Sequence, residues 1–111
     1  MSASGMKAYS GLVTNTVVDV EIVGSCRFAL LDMGNPGASI SYLQVFNRPA
    51  ASVTLGTTAP LLSFLIPATG GRVVPLAAPA ILGGSGFSIA VTGGRSDATA
   101  PAASNAINII L

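Results

Sequence analysis

Residues 87–92 read Phe87-Ser88-Ile89-Ala90-Val91-Thr92, and the fold turns on how these six are read. Successive side chains of a β-strand point to opposite faces, so the alternation sets Phe87, Ile89 and Val91 against Ser88, Ala90 and Thr92. The same period of two occurs in Val18-Asp19-Val20-Glu21-Ile22, where aliphatics alternate with carboxylates. It occurs again in residues 105–111, where Ile107, Ile109 and Leu111 alternate with Ala106, Asn108 and Ile110. An apolar stretch of this kind is expected to be a strand with one face in a core and its amides paired.

Between these segments lie residues 26–33 (CRFALLDM), 40–46 (ISYLQVF), 51–55 (ASVTL), 61–66 (LLSFLI) and 72–76 (RVVPL). They are separated by GNPG, NRPA, GTTAP, PATGG and GGSG, whose Gly, Pro and Asn residues suit the special backbone angles of turns. About eight short antiparallel strands at this spacing predict an all-β fold, a single jelly-roll-like β-sandwich over residues 17–111. Residues 75–82 (PLAAPAIL) hold two prolines and read as a crossing loop with one short strand. Residues 1–16 are small, polar and weakly patterned, with Lys7, Tyr9 and Leu12 as anchors, and read as an N-terminal arm.

Only 8% of the 111 residues are Asp, Glu, Lys or Arg, against about 25% in ordinary globular proteins. With a net charge of +1, the chain has no electrostatic footprint for a nucleic-acid backbone or an anionic membrane, and neither is expected as a partner. So neutral a surface is poorly protected against association, which points to burial in a larger assembly. The uncharged runs between Arg48 and Arg72 and between Arg72 and Arg95 are broken by proline and glycine, so neither reads as a spanning helix. Residues 1–11 lack the apolar core of a secretory signal, which implies synthesis in the cytoplasm. Cys26 is the single cysteine and reads as a small core residue.

Histidine is absent, and with it the commonest general base and metal ligand. Asp19 and Glu21 share one face of a strand and read as solvated carboxylates rather than an acid/base pair. Asp32 and Asp97 stand beside turn residues, where side-chain to backbone hydrogen bonds are expected. No acid spacing matches a calcium loop, and residues 83–87 (GGSGF) lack the last glycine of a nucleophile elbow. No catalytic residue, metal ligand or cofactor site is predicted.

The run YLQVFNRPAASVTLGTTAPLLSFLIPATGGRVVPL followed by GFSIAVTGGRSDATAPAA resembles a widespread family of small tailed-bacteriophage virion proteins. The family's ordered elements fall on Tyr42-Leu43-Gln44-Val45, Gly56-Thr57-Thr58-Ala59-Pro60, Ile66-Pro67-Ala68-Thr69-Gly70, Gly86-Phe87-Ser88-Ile89-Ala90-Val91-Thr92 and Asp97. The resemblance covers residues 26–111. It departs from the family in the N-terminal residues and in the arginines Arg72 and Arg95. It implies a structural virion protein, a decoration or cement component on the capsid exterior, bound to the major capsid protein and to itself as a homotrimer. In that role the arm residues Lys7, Tyr9 and Leu12 are the expected partner contacts. Two other readings stand beside it: a cellular enzyme domain or inhibitor, disfavoured by the absence of histidine and of clustered acids, and a carbohydrate- or receptor-binding module of a phage tail or fibre. The binding module would want exposed aromatics, of which the chain has two Tyr, four Phe and no Trp.

Overall fold

The computed structural model describes residues 8–20, 26–27, 30–75, 81–82, 87–95 and 97–110. Ten strands run through them: β1 Ala8–Val13, β2 Val18–Val20, β3 Cys26–Arg27, β4 Leu30–Asn35, β5 Ser41–Phe46, β6 Leu62–Ile66, β7 Gly70–Pro75, β8 Ile81–Leu82, β9 Phe87–Thr92 and β10 Asn105–Ile110. Among the described residues the one helical element is a 3₁₀ turn at Ala50–Ser52.

The strand pairings are nested. β5 pairs with β6, β4 with β7, β3 with β8, β2 with β9 and β1 with β10, each time antiparallel. The chain is therefore one long antiparallel ribbon, doubled back on itself in the connection between β5 and β6. Rolling the ribbon lays β10 beside β4 and β9 beside β5. Two four-stranded sheets result, ordered β1-β10-β4-β7 and β2-β9-β5-β6, with β3 and β8 as a separate short ribbon. This nesting is the architecture of a jelly roll, the all-β sandwich expected from the alternating segments and their turns.

Both sheets turn their large apolar side chains inward. From the first come Val13, Leu31, Met33, Ile107 and Ile109, and from the second Val20, Leu43, Val45, Ile66, Phe87, Ile89 and Val91. Tyr9, Val18, Leu62, Phe64 and Val74 pack around them. Phe87 is the largest fully buried side chain. Replacing it with Ala is expected to cost about 3–5 kcal/mol in urea unfolding, because the space it leaves cannot close completely. A cost within about 0.5 kcal/mol, the ordinary range for surface substitutions, would place Phe87 outside the core.

One end of the sandwich is closed by buried polar side chains. Ser41 donates its hydroxyl to Asn105 Oδ1 at 2.8 Å, and Asn105 Nδ2 donates to the Ala103 carbonyl at 2.9 Å. Asn35 receives the Gly37 amide on Oδ1 at 2.9 Å and donates Nδ2 to the Ser39 carbonyl at 2.9 Å. Each of these buried groups thus has a partner, as a dry site requires. Gly37 is needed in this packing, because a Cβ there would stand 2.9 Å from the Ala102 methyl.

Three expectations differ from the structure. The arm expected over residues 1–16 does not extend through its second half: Ala8–Val13 is the edge strand β1, paired along its length with β10 and burying Val13. Its pattern was weak because Gly11 takes an inward position while Leu12 faces out. Residues 51–55 form no strand, since the Ser52 amide bonds the Pro49 carbonyl and the Val53 amide bonds the Ala50 carbonyl, which curls the backbone. Asp32 lies within β4 rather than at a turn, and its side chain is exposed. Of the other segments, Glu21 and Ile22 lie outside the described residues.

Candidate functional site

The outer faces of the two sheets are unlike each other. On the second sheet, all six residues of β9 are buried, so Ser88, Ala90 and Thr92 are covered as fully as Phe87, Ile89 and Val91. The cover comes from the long connections. Ser88 donates its hydroxyl to the Arg48 carbonyl at 2.9 Å, the Leu61 amide bonds the Val45 carbonyl at 2.7 Å, and the 3₁₀ turn packs against β9. The Ala50 amide donates to Asp19 Oδ1 at 2.7 Å, which pins the start of that turn across the edge strand β2. Asp19 is therefore an anchor for the cover rather than a merely solvated carboxylate.

Beneath the cover runs a polar chain. Gln44 is fully buried and donates Nε2 to Thr92 Oγ1 at 3.0 Å, and Thr92 donates its hydroxyl to the Gly94 carbonyl at 2.7 Å. Gln44 Oε1 and the Ser63 hydroxyl, on register-paired residues of β5 and β6, have no protein partner. Arg95 lays its guanidinium 4.9 Å from the centre of the Tyr42 ring, a cation–π contact that occupies this aromatic face. Asp97 accepts the Thr99 amide on Oδ1 at 3.0 Å, the loop-shaping role expected for it.

Among the described residues, nothing covers the outer face of the first sheet. Leu12, Ala106, Gly34 and Gly71 stand side by side in one row across the four strands, and Ser10, Asn108, Asp32 and Val73 in the next. Leu12 is 73% exposed and Val73 59%, the two most exposed large apolar side chains among the described residues. Asp32 is the one ionisable side chain in these rows. Arg72 lies on the other side of β7, where its Nη1 donates to the Leu65 carbonyl at 3.1 Å and ties edge strand β7 to edge strand β6. At one end of the bare face is a shallow, open hollow lined by Gly34, Asn35, Pro36, Thr69, Gly70 and Ala106. Thr69 holds φ at 47°, a left-handed conformation uncommon for a β-branched residue, and so fixes the rim in a strained turn.

The residues expected to contact a partner separate in this arrangement. Lys7 lies outside the described residues. Tyr9 packs against the core, on the opposite face of β1 from Leu12, so Leu12 alone of the two stands on an open surface. The row of small residues beside it was missed, because Gly34, Gly71 and Ala106 carry no sequence signal until register sets them next to one another. Among the described residues no three His, Cys, Asp or Glu side chains gather as a metal site, and no helix is long and apolar enough to cross a membrane. Comparison with protein-family models, curated proteins and solved structures returned no match.

Proposed function

We propose that this chain is a structural virion protein of a tailed bacteriophage, a decoration or cement component held on the capsid exterior by non-covalent contacts. The observation that carries the reading is the contrast between the two sheets: one is covered by the chain's own loops, while the other, among the described residues, presents a nearly uncharged face with two large aliphatics on it. Contiguous exposed apolar surface on a small domain marks a place where something docks. Jelly rolls recur in viral capsid domains, although they also serve lectins, so the fold alone does not choose between these uses. The resemblance of residues 26–111 to small phage virion proteins supports the choice of the virion, with the major capsid protein and further copies of the chain as partners. Self-association is part of this reading; the homotrimer that the resemblance implies and a two-fold pair exclude each other on this face, and sedimentation separates them. The mechanism is binding without chemistry: a rigid sandwich bridges neighbouring subunits and opposes their separation.

The test is a pull-down with pre-assembled phage capsids at roughly 0.1 M and 1 M salt, between which the Debye length falls from about 10 to 3 Å. Contacts made by aliphatics and main chain are expected to hold nearly unchanged across that range, whereas ion pairs would be screened. A chain that ignores capsids and binds a sugar array would replace this reading with the tail- or fibre-module one.

A further inference from the structure

We infer that the bare face of the β1-β10-β4-β7 sheet is a self-complementary interface, whose occupant is the same face of a second copy related by a two-fold axis lying in the plane of the face and running along the strands. The inference rests on the proposal that this face docks a protein, and it is independent of the placement on a virion.

The face has the asymmetry that such an axis needs. A two-fold axis of this orientation brings β1 of one copy over β7 of the other, and β10 over β4, while keeping each row opposite itself. In the first row the large side chain, Leu12, is at the β1 edge and the small residues Gly34 and Gly71 are toward the β7 edge. Leu12 of each copy therefore comes down on Gly71 of the other, beside the hollow that Gly34, Gly70 and Ala106 leave open. A projection meets a depression twice, as an isologous contact requires. In the second row Asn108 comes opposite Asp32, so that each Asn108 Nδ2 can donate to a carboxylate of the second copy, and the two Asp32 side chains are offset by a strand spacing rather than facing each other. Ser10 comes opposite Val73.

The alternative axis, in the plane but across the strands, fails on the same residues. Passed between the two rows it would set Leu12 over Ser10 instead of over a glycine, and passed through the second row it would bring Asp32 directly against Asp32. Like charges directly opposed in an interface disfavour it strongly. The orientation is thus chosen by where Asp32 and Leu12 fall.

The size of the contact sets its strength. Four strands about 4.8 Å apart and six residues long at about 3.4 Å per residue give a face of roughly 400 Å² on each copy. Counting both copies, about 800 Å² falls below the range of stable specific interfaces, so the pair is a weak, transient one that forms and dissociates reversibly. A symmetric pair of this kind closes at two copies. A trimer would have to use other surfaces.

Sedimentation velocity of the full chain from roughly 1 µM to 1 mM tests the inference, a span covering the affinities expected of so small an interface. The expected result is a monomer–dimer equilibrium. Leu12→Asp should weaken it more than tenfold, because each copy would press a carboxylate onto the apolar surface at Gly71, and Leu12 is too exposed for the change to disturb the monomer. Gly34→Val should weaken it as well by filling the hollow. A Cβ at Gly34 meets only the Ala106 methyl, at an ordinary 3.8 Å, so the monomer's melting temperature should hold or rise. A monomer at every concentration, a trimer, or a dimer indifferent to both substitutions overturns the inference. The capsid pull-down separates the two levels: if the protein is monomeric but Leu12→Asp abolishes capsid binding, the face docks capsid and the pairing is wrong. A dimer with the stated sensitivities and no capsid affinity would leave the pairing intact and remove the virion reading.

Discussion

Removing residues 105–111 is expected to leave no soluble, folded protein. The deleted segment is β10, which is not an edge strand: it lies between β1 and β4, bonded to both. Its loss strips β1 of the one strand it pairs with among the described residues and turns β4 into a raw edge, while the fully buried Ile107 and Ile109 leave a trough through the core. Truncating one such isoleucine to Ala costs about 2–5 kcal/mol, and a domain of this size has about 5–15 kcal/mol in total. Deleting both side chains, their backbone and the docking site of a second strand therefore exceeds what the fold can lose. The exposed β4 edge and the apolar trough together favour aggregation over a soluble unfolded chain. Expression followed by separation of soluble and insoluble fractions reads the outcome. Ala106→Lys, an exposed position on the same strand, serves as the control and should remain soluble with stability within about 0.5 kcal/mol of the parent. A truncated protein with a cooperative melt would show that β10 contributes little to the core.

The architecture was legible where side chains alternate cleanly. Phe87, Ile89 and Val91 read as inward and are inward, and so are Val20, Ile107 and Ile109. The turn residues also marked most strand boundaries, because Gly, Pro and Asn mark backbone angles directly; about eight strands were expected and the two sheets hold eight, but residues 51–55 are not among them and β1 was not foreseen. What alternation could not disclose is what covers a face. Ser88, Ala90 and Thr92 look like an outward polar set, and they do point away from the main core, yet a second layer of loop closes over them. Nothing local in Phe87–Thr92 encodes that layer; it depends on Asp19, some thirty residues before the turn it anchors, and on the Arg48 carbonyl.

The bare face was hidden for the complementary reason. Leu12, Ala106, Gly34 and Gly71 come from four separate parts of the chain, and only the nesting of β1 with β10 and β4 with β7 aligns them. A one-residue slip in any pairing would send a row to the opposite side, so the site is a property of register rather than of any segment. Gln44 illustrates the same limit. A glutamine in a strand reads as a surface residue, yet it is sealed beneath the loops with its amide nitrogen on Thr92.

The edge strand β1 gives the second large effect, because it reverses what the sequence of residues 1–16 suggests. A disordered arm could be removed without changing the melting temperature. In the structure the same deletion removes Val13, 1% exposed, the Tyr9 ring packed beside it, and all the pairing along the outer side of β10. Full burial of a valine contributes about 1.5–3 kcal/mol, and the partial burial of Tyr9 with the lost strand pairing adds at least as much again, for a total of roughly 3–6 kcal/mol. For a domain near 100 residues each kcal/mol moves the midpoint by about 4–8 °C, so the melt should fall by at least about 12 °C. Deleting residues 1–7 alone spares β1 and serves as the comparison. Thermal unfolding followed by circular dichroism on both deletions decides the matter: an unchanged melt after loss of residues 1–16 would mean that β1 lies outside the cooperative unit and that the arm reading was right. The deletion also takes Leu12 from the bare face, so any loss of self-association must be judged at a temperature where the shortened chain is still folded. Leu12→Asp separates the two effects, since it changes the face while leaving Val13 and the pairing with β10 in place.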